Sequence, residues 1–181
     1  MTQFERLMQL RIGGGTERCH GIRHQGSYSV AAHSWGVAIL MYVLWPEDFP
    51  RLSIYCVGHD IPEAWVGDIP APTKKYCPEI KSAAAGMERQ IFERLAFPND
   101  ADLPAEDKAK LRACDILELY LWAKEQLYGG NAHAACICRE LEDFLRTESF
   151  PVEARELFLD IRGGVVEHAT DGLIRDLNKG L

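Results

Sequence analysis

The chain lacks the features of a membrane protein or a protein that binds duplex nucleic acid. No apolar run approaches the roughly 18 uncharged residues of a membrane-spanning helix. The N-terminal segment MTQFERLMQL has an early acidic residue and no long apolar stretch, unlike a signal peptide. Basic side chains number 20 and acidic ones 27, for a net charge of −7. Because binding to the duplex backbone requires a basic surface, we expect neither duplex nucleic acid nor a membrane as partner.

Cysteine pairs of the kind that bind structural metals are also missing. The six cysteines are Cys19, Cys56, Cys77, Cys114, Cys136 and Cys138. None forms a CxxC pair, and residues two apart on a helix point to different faces, which separates Cys136 from Cys138. Several lie in apolar segments, where cysteine acts as a small core residue. This usage indicates a reducing cytoplasm.

Strand-like alternation is nearly absent, and most apolar residues recur at helical spacing. We therefore predict an all-α fold. A chain of 181 residues suffices for one well-packed core, so a single domain over 1–181 is expected. The glycines at 13–15 form a loop or hinge, since they lack the strand, lysine and hydroxyl of a P-loop. The predicted helices cover residues 3–11, 28–45, 50–60, 79–96, 104–128, 132–147 and 151–176.

Four polar side chains interrupt segments that otherwise read as core. They are His33 in AAHSWGVAILMYVLW, the pair His59 and Asp60 at the end of LSIYCVGHD, and Asp115 in LRACDILELYLWAKE. Buried charge is costly unless it is paired or bound to a metal, so the four favour one shared site. Two imidazoles and two carboxylates suit a catalytic divalent metal with open positions. Zinc, cobalt, manganese, iron and nickel all fit this set, and magnesium suits an oxygen-rich second site. The pattern predicts metal-assisted hydrolysis.

The order of these motifs resembles the HD-domain metal-dependent phosphohydrolases, in particular the branch of bacterial 5'-deoxynucleotidases and phage dATP triphosphohydrolases. The motifs read AAHS at 31–34, GHDIPEAWVGDIPAPTKKY at 58–76 and RACDILELYLWAKEQ at 112–126. The resemblance spans roughly residues 18–131, and its GDIPAPTK string is far more specific than the His-Asp pair. It implies a single HD-domain helical bundle and makes His33, His59, Asp60 and Asp115 the metal ligands.

Two further acids lie near the His-Asp pair. Glu63 follows Asp60 by three residues and His59 by four, so on a continuing helical turn it faces the ligands. It is the best candidate for the general base or the water-positioning group. Pro62 predicts that one helix ends near Asp60 and a new turn begins, which leaves the pair facing a cleft. Asp68 is a candidate hydrogen-bond partner of a ligand histidine, or a ligand for an additional ion, and the resemblance places it in the catalytic region.

Positive charge for a phosphate flanks the same motifs. Arg18 lies fifteen residues before His33, the spacing at which the resembling deoxynucleotidases carry a phosphate-binding arginine. Arginine offers a planar fork that matches phosphate oxygens, whereas lysine acts as a point charge. Lys74, in GDIPAPTK, is the second candidate. For Arg23 and Lys75 we expect a solvated surface role.

The chain departs from the family pattern at two positions. Cys19 stands where the family often has a tryptophan that lines the nucleoside pocket, and cysteine cannot stack on a base. The residue before the first ligand is commonly glutamate in the family and is Ala32 here. Any hydrogen bond that the glutamate makes must therefore come from another residue in this chain. His20 and Ile22 are the remaining candidates to contact the base, although a surface loop is an equally fair interpretation.

The resemblance implies an enzyme that hydrolyses 5'-phosphates of 2'-deoxynucleotides. A phage-type dATP triphosphohydrolase, acting also on dADP and dAMP to release deoxyadenosine, fits best, and a phage enzyme would work in the host cytoplasm. The main alternative is a general deoxyribonucleoside 5'-monophosphatase. A hydrolase of guanosine alarmones is a further alternative, but it would need additional charged motifs that this sequence does not contain. A catalytically silent nucleotide-binding HD module is less favoured, because every ligand and Glu63 are present. We also expect a homo-oligomer, with the C-terminal helices as a potential interface.

Overall fold

A computed structural model describes residues 1–147 and 149–164, and most of them are helical. Among these residues the only extended pairing is an isolated bridge between Glu17 and Ser29, so the predicted all-α fold is confirmed. The α-helices are α1 (Gln3–Gly13), α2 (Val30–Leu44), α3 (Phe49–Gly58), α4 (Glu63–Val66), α5 (Ala71–Tyr76), α6 (Pro78–Leu95), α7 (Ala105–Tyr128), α8 (Ala135–Thr147) and α9 (Val152–Gly163). Short 3-10 helices occupy Asp100–Asp102 and Ala132–Ala134.

Four details of the predicted helices are wrong. The helix predicted over 50–60 ends at Gly58. Residues 71–76, which lie between the helices predicted over 50–60 and 79–96, form α5 with Pro72 in the first turn, where its missing donor costs nothing. Helix α2 begins at Val30 and not at 28, since the side chain of Ser29 caps it. The helix predicted over 132–147 starts with a 3-10 turn. The helix predicted over 151–176 corresponds to α9, and its part from residue 165 lies outside the described residues. The last residues of the predicted single domain lie outside them as well.

The core forms where α2, α3 and α7 pack against one another. Its fully buried side chains include Val37, Met41, Leu52, Cys56, Cys114, Leu117 and Tyr120. Helices α8 and α9 extend this core along α7. No helix in the described ranges is both long and apolar enough to cross a membrane. The three helices at the centre of the core also carry, or lead directly into, every predicted metal ligand.

Candidate metal centre

The four predicted ligands meet at one point. His33 comes from α2, Asp115 from α7, and His59 and Asp60 from the turn after α3. One ligand atom from each residue lies within 4.8 Å of the other three. His33 Nε2 is 3.0 Å from Asp115 Oδ1, 3.5 Å from Asp60 Oδ2 and 3.3 Å from His59 Nε2. Residues far apart in sequence therefore converge as the interrupted apolar segments predict.

The His-Asp pair lies in a turn between the end of α3 and the start of α4, and nearby residues explain why the turn forms there. Helix α3 ends at Gly58, where a Cβ atom would come within 2.1 Å of Phe97, so the chain needs glycine at this approach. Pro62 then forms the N-cap of α4, which begins at Glu63. The His-Asp pair thus lies between two helices, as the proline predicts, and not inside a continuous one.

Each histidine presents its Nε2 atom to the cluster because its other nitrogen is held elsewhere. His59 Nδ1 lies 3.1 Å from the carbonyl oxygen of Cys56. His33 Nδ1 is hydrogen-bonded to Oε2 of Glu118, and the hydroxyl of Tyr28 donates to the same oxygen. Such partners fix the orientation of an imidazole ring.

Sequence reasoning did not single out Glu118 and Tyr28. A signal for Glu118 was present, because it follows Asp115 by three residues and therefore lies on the same face of α7. Tyr28 lies before α2 and carries no spacing signal of its own. Its ring stacks on Trp122 of α7 at 4.4 Å between ring centres, which is a contact of the tertiary structure.

The carboxylates of the cluster favour positive charge between them. Burial disfavours protonation of His59, but Asp60 and Asp115 outweigh it and raise the pKa of His59 to about 10. The pKa of His33 is likewise raised against burial, through hydrogen bonds to Asp115 and Glu118. Burial opposes ionisation of Asp115 as well, yet its contacts with the two histidines hold its pKa well below the usual range.

The donor set fits a divalent metal ion. Two imidazole nitrogens and two carboxylate oxygens point to a common centre, and the opposite nitrogens of both rings are already engaged. This combination of nitrogen and oxygen ligands suits a catalytic metal better than a closed structural site. The predicted divalent metal cofactor is therefore supported, with the four residues as the groups that would hold it.

Arg18 and Glu63 lie at the edge of the cluster. Both are buried, Arg18 pairs with Asp60, and Arg18 Nη1 is 3.6 Å from Glu63 Oε1. Arg18 Nε and Glu63 Oε2 are buried without a hydrogen-bond partner in the part of the chain that the structure describes. Burial, and after it the charge of Asp60, raises the pKa of Glu63 to about 8. The two predicted functional groups therefore face each other beside the ligands.

The hydrogen bonds of Asp68 differ from the predicted bond to a ligand histidine, while its alternative role as a ligand for an additional ion stays a prediction. Its Oδ2 atom accepts a hydrogen bond of 2.7 Å from the backbone N–H of Cys19 and lies 3.7 Å from Nδ1 of His20. The nitrogens of the ligand histidines that face away from the cluster are bonded to other residues. Cys19 has φ of 55°, a left-handed conformation in which a residue other than glycine is strained. Asp68 thus holds the strained turn that follows Arg18.

The remaining predicted substrate contacts surround this turn. The thiol of Cys19 is half-buried, and burial raises its pKa to about 11. The side chain of His20 is exposed, whereas Ile22 is partly buried and its N–H bonds to the Cys19 carbonyl at 3.0 Å. Lys74 is partly buried on α5, and its charge acts on the pKa of Glu63. Cys19 therefore lies within electrostatic reach of Arg18, and Lys74 within reach of Glu63.

Comparisons with known proteins match the same segments. A family model described as the HD domain covers residues 16–114. The dATP triphosphohydrolase of Salmonella phage PMBT28 is 30% identical over 126 residues, which are 60% of this chain and 59% of that protein. The 5'-deoxynucleotidase of Vibrio cholerae is 28% identical over 170 residues, 79% of this chain and 84% of that protein. The predicted relationship to the HD-domain phosphohydrolases is confirmed.

Two solved structures share the fold. The cyanophage S-2L HD phosphohydrolase DatZ, bound to dA and one catalytic Zn²⁺ ion, superposes with a TM-score of 0.67 at 23% identity, over 90% of this chain and 95% of DatZ. A protein from Pyrococcus horikoshii gives a TM-score of 0.68 at 18% identity, over 88% of this chain and 98% of that one. Since the family model covers more than half of the chain, the chain belongs to the HD-domain family.

Proposed function

We propose that this chain removes 5'-phosphates from 2'-deoxynucleotides in a metal-dependent reaction, with dATP as preferred substrate and dADP and dAMP as further substrates. The observation that carries the proposal is the convergence of the four ligand residues with Arg18 and Glu63 at their edge. The names of the phage relatives and the dA bound to DatZ support a nucleotide of deoxyadenosine as substrate. The product would be deoxyadenosine.

The metal is the first requirement. When bound, a divalent ion at this cluster would activate water and neutralise phosphate charge. Zinc, cobalt and manganese suit two imidazoles with two carboxylates, and the zinc of DatZ supports zinc among them. Magnesium is proposed only for a second, oxygen-rich site near the phosphates, where hard oxygen ligands prevail.

Glu63 is proposed to take the proton of the attacking water. A buried carboxyl with a pKa of about 8 is suited to exchange a proton near neutral pH. Its Oε2 atom has no hydrogen-bond partner in the described part of the chain, which leaves that atom to receive the proton. Water would then attack phosphorus, the bond from phosphorus to the leaving oxygen would break, and that oxygen would take up the proton that Glu63 had accepted.

The phosphate is proposed to bind at Arg18 and Lys74. The guanidinium of Arg18 already lies against Asp60, and its Nε atom has no hydrogen-bond partner in the described residues, so a phosphate bound to Arg18 would lie beside the metal cluster. Lys74 would add a point charge from α5. Asp68 contributes indirectly, because its bond to the N–H of Cys19 fixes the turn that carries Arg18.

The sugar and base are proposed to contact the segment after Arg18. Cys19, His20 and Ile22 are the candidates, and none of them gives the flat aromatic wall of a tryptophan. We therefore propose that preference for deoxyribose rests on the fit of the sugar between the metal cluster and helix α2. Base preference would come from His20 and Ile22.

The second candidate is a general deoxyribonucleoside 5'-monophosphatase. It is favoured by the matches to 5'-deoxynucleotidases, which extend over 82% of this chain for Vibrio atlanticus against 60% for the phage enzyme. A comparison of dATP, ATP, dGTP and dAMP under one metal condition separates the two. Faster hydrolysis of dATP than of ATP and dGTP supports the first proposal. Equal rates on several deoxynucleoside monophosphates, with little on triphosphates, supports the second and overturns the first.

We also propose a homo-oligomer that forms through the outer face of α2. Trp35, Ile39, Tyr42 and Val43 recur on this face and are 70%, 43%, 56% and 62% exposed. The helix carries no Asp, Glu, Lys or Arg, so two copies of a chain with net charge −7 can meet there without placing like charges together. Of the C-terminal third expected to form an interface, α8 and α9 bury apolar side chains in the core, and the part from residue 165 lies outside the described residues.

A further inference from the structure

We infer that Glu118 is a positioning residue that sets which nitrogen of His33 faces the metal. The inference rests on the proposed function, because it takes the four-residue cluster as a metal site. It adds a residue outside the ligand set, whose role is to hold the Nδ1 atom of His33 so that Nε2 is free to bind.

Glu118 is the nearer of two groups at Nδ1 of His33, and the hydroxyl of Tyr28 lies 3.2 Å from the same nitrogen. His33 is fully buried, so solvent does not compete for its nitrogens. A carboxylate oxygen can only accept, so the bond between His33 Nδ1 and Glu118 places the proton on Nδ1. Nε2, on the other side of the ring, then faces the centre between the carboxylates of Asp115 and Asp60 and is the nitrogen that would bind a metal ion there.

Glu118 is itself held in place from two sides. The hydroxyl of Tyr28 donates to the oxygen that binds His33, and the Tyr28 ring is fixed by its stack on Trp122. On the opposite side lies Gly36 of α2. A Cβ atom there would come within 2.5 Å of Glu118 Cγ, closer than atoms can approach without movement. Gly36 therefore leaves the space through which Glu118 reaches from α7 to His33.

This arrangement predicts a measurable effect on metal affinity. Removal of a partner that orients a ligand histidine typically weakens metal binding about 10- to 100-fold while the ligands stay in place. Two independent changes should do so. Glu118→Ala deletes the partner, and Gly36→Ala displaces it without altering any polar residue of the site.

The experiment measures Zn²⁺ affinity of metal-stripped protein by competition with a chromogenic chelator. We expect about 10- to 100-fold weaker binding for Glu118→Ala and for Gly36→Ala. Gly86→Ala is the matched control, because Gly86 is also a helical glycine and nothing lies within 4 Å of the added Cβ. Its affinity should equal that of the parent. The thermal midpoint of each metal-free protein separates a local effect from general destabilisation.

Glu118→Gln and Tyr28→Phe serve if Glu118→Ala does not fold. The glutamine keeps an oxygen acceptor, and phenylalanine keeps the stack on Trp122, so both should bind Zn²⁺ with an affinity between those of the parent and Gly36→Ala. The visible spectrum of bound Co²⁺ reports any change in ligand geometry. Parent-like affinity in both the Glu118 variant that folds and Gly36→Ala overturns the inference. A parent protein that binds no Zn²⁺ overturns the proposed function instead.

Discussion

The guanidinium of Arg18 pairs with the carboxylate of Asp60, a member of the metal cluster. The pair joins the segment expected to bind phosphate to the centre expected to bind metal. Because both groups are largely buried, their interaction is less screened by solvent than that of a surface pair. A phosphate at Arg18 would therefore lie beside the cluster and beside Glu63, whose carboxyl is 3.6 Å from the same guanidinium nitrogen.

Arg18→Ala should weaken substrate binding and leave the metal in place. A hydrogen bond to a charged group contributes about 1.5 to 3 kcal/mol, so kcat/KM should fall roughly 10- to 100-fold. Arg18→Lys is the matched control, since it keeps the charge and loses the planar fork, and its loss should be smaller. Steady-state kinetics and elemental analysis measure both effects. Loss of the metal with Arg18→Ala would show that the pair with Asp60 serves the metal site and not the phosphate.

Glu63→Gln should retain the metal and lose turnover. A positioned base contributes about a hundredfold to ten-thousandfold in rate, and glutamine keeps the shape of the side chain without its basicity. His59→Ala and Asp115→Ala should instead lose both metal and activity, because each removes a ligand. Metal content and initial rates of the three variants, measured together, decide this. Near-native turnover of Glu63→Gln would move the role to another acid, with Asp68 first.

The ion pair between Asp107 and Arg51 gives a prediction away from the site. Its hydrogen bonds to Arg51 lower the pKa of the buried Asp107 below its ordinary value of 3.8. A lowered folded-state pKa adds stability above the unfolded value, and that stability is lost as the pH falls through the folded value. Asp107→Asn should therefore be less stable than the parent at pH 7. In urea unfolding, the difference in free energy of unfolding between parent and variant should shrink as the pH drops below 3.8. A difference that stays constant with pH would contradict the pairing.

Trp35→Glu should reduce the molecular mass in solution if copies associate through α2. A charge in the centre of an apolar interface is left unpaired on both copies, which opposes association. Leu159→Glu on α9 is the matched control, as Leu159 is also exposed, at 54%. Sedimentation equilibrium of parent and both variants provides the test. A monomeric parent, or an oligomer that Trp35→Glu leaves intact, would refute this interface.

The sequence predicted the metal ligands but not the residues that orient them. His33, His59, Asp60 and Asp115 are visible because they interrupt apolar runs, and a buried charge calls for a partner. Spacing places Glu118 on the same face of α7 as Asp115, but spacing alone does not show which group it contacts. Its role depends on the space at Gly36, which exists only once α2 and α7 pack together.

Two other differences have local causes. Asp68 lies close to the ligand pair in sequence, yet the left-handed turn at Cys19 brings a backbone N–H to it first. Proline-rich sequence between 67 and 78 suggests a loop, but a proline in the first turn is compatible with a helix, and α5 forms. Both outcomes depend on backbone conformations that spacing and composition do not determine.

The most direct test of the account is dATP hydrolysis by metal-stripped protein before and after addition of one divalent ion. Release of deoxyadenosine and of phosphate is followed for stripped protein alone and with zinc, cobalt or manganese added. Because we propose that a metal ion held by the four converging residues activates water, we predict no turnover without metal and restored turnover with at least one of the three ions. Full activity of verified metal-free protein would contradict the account.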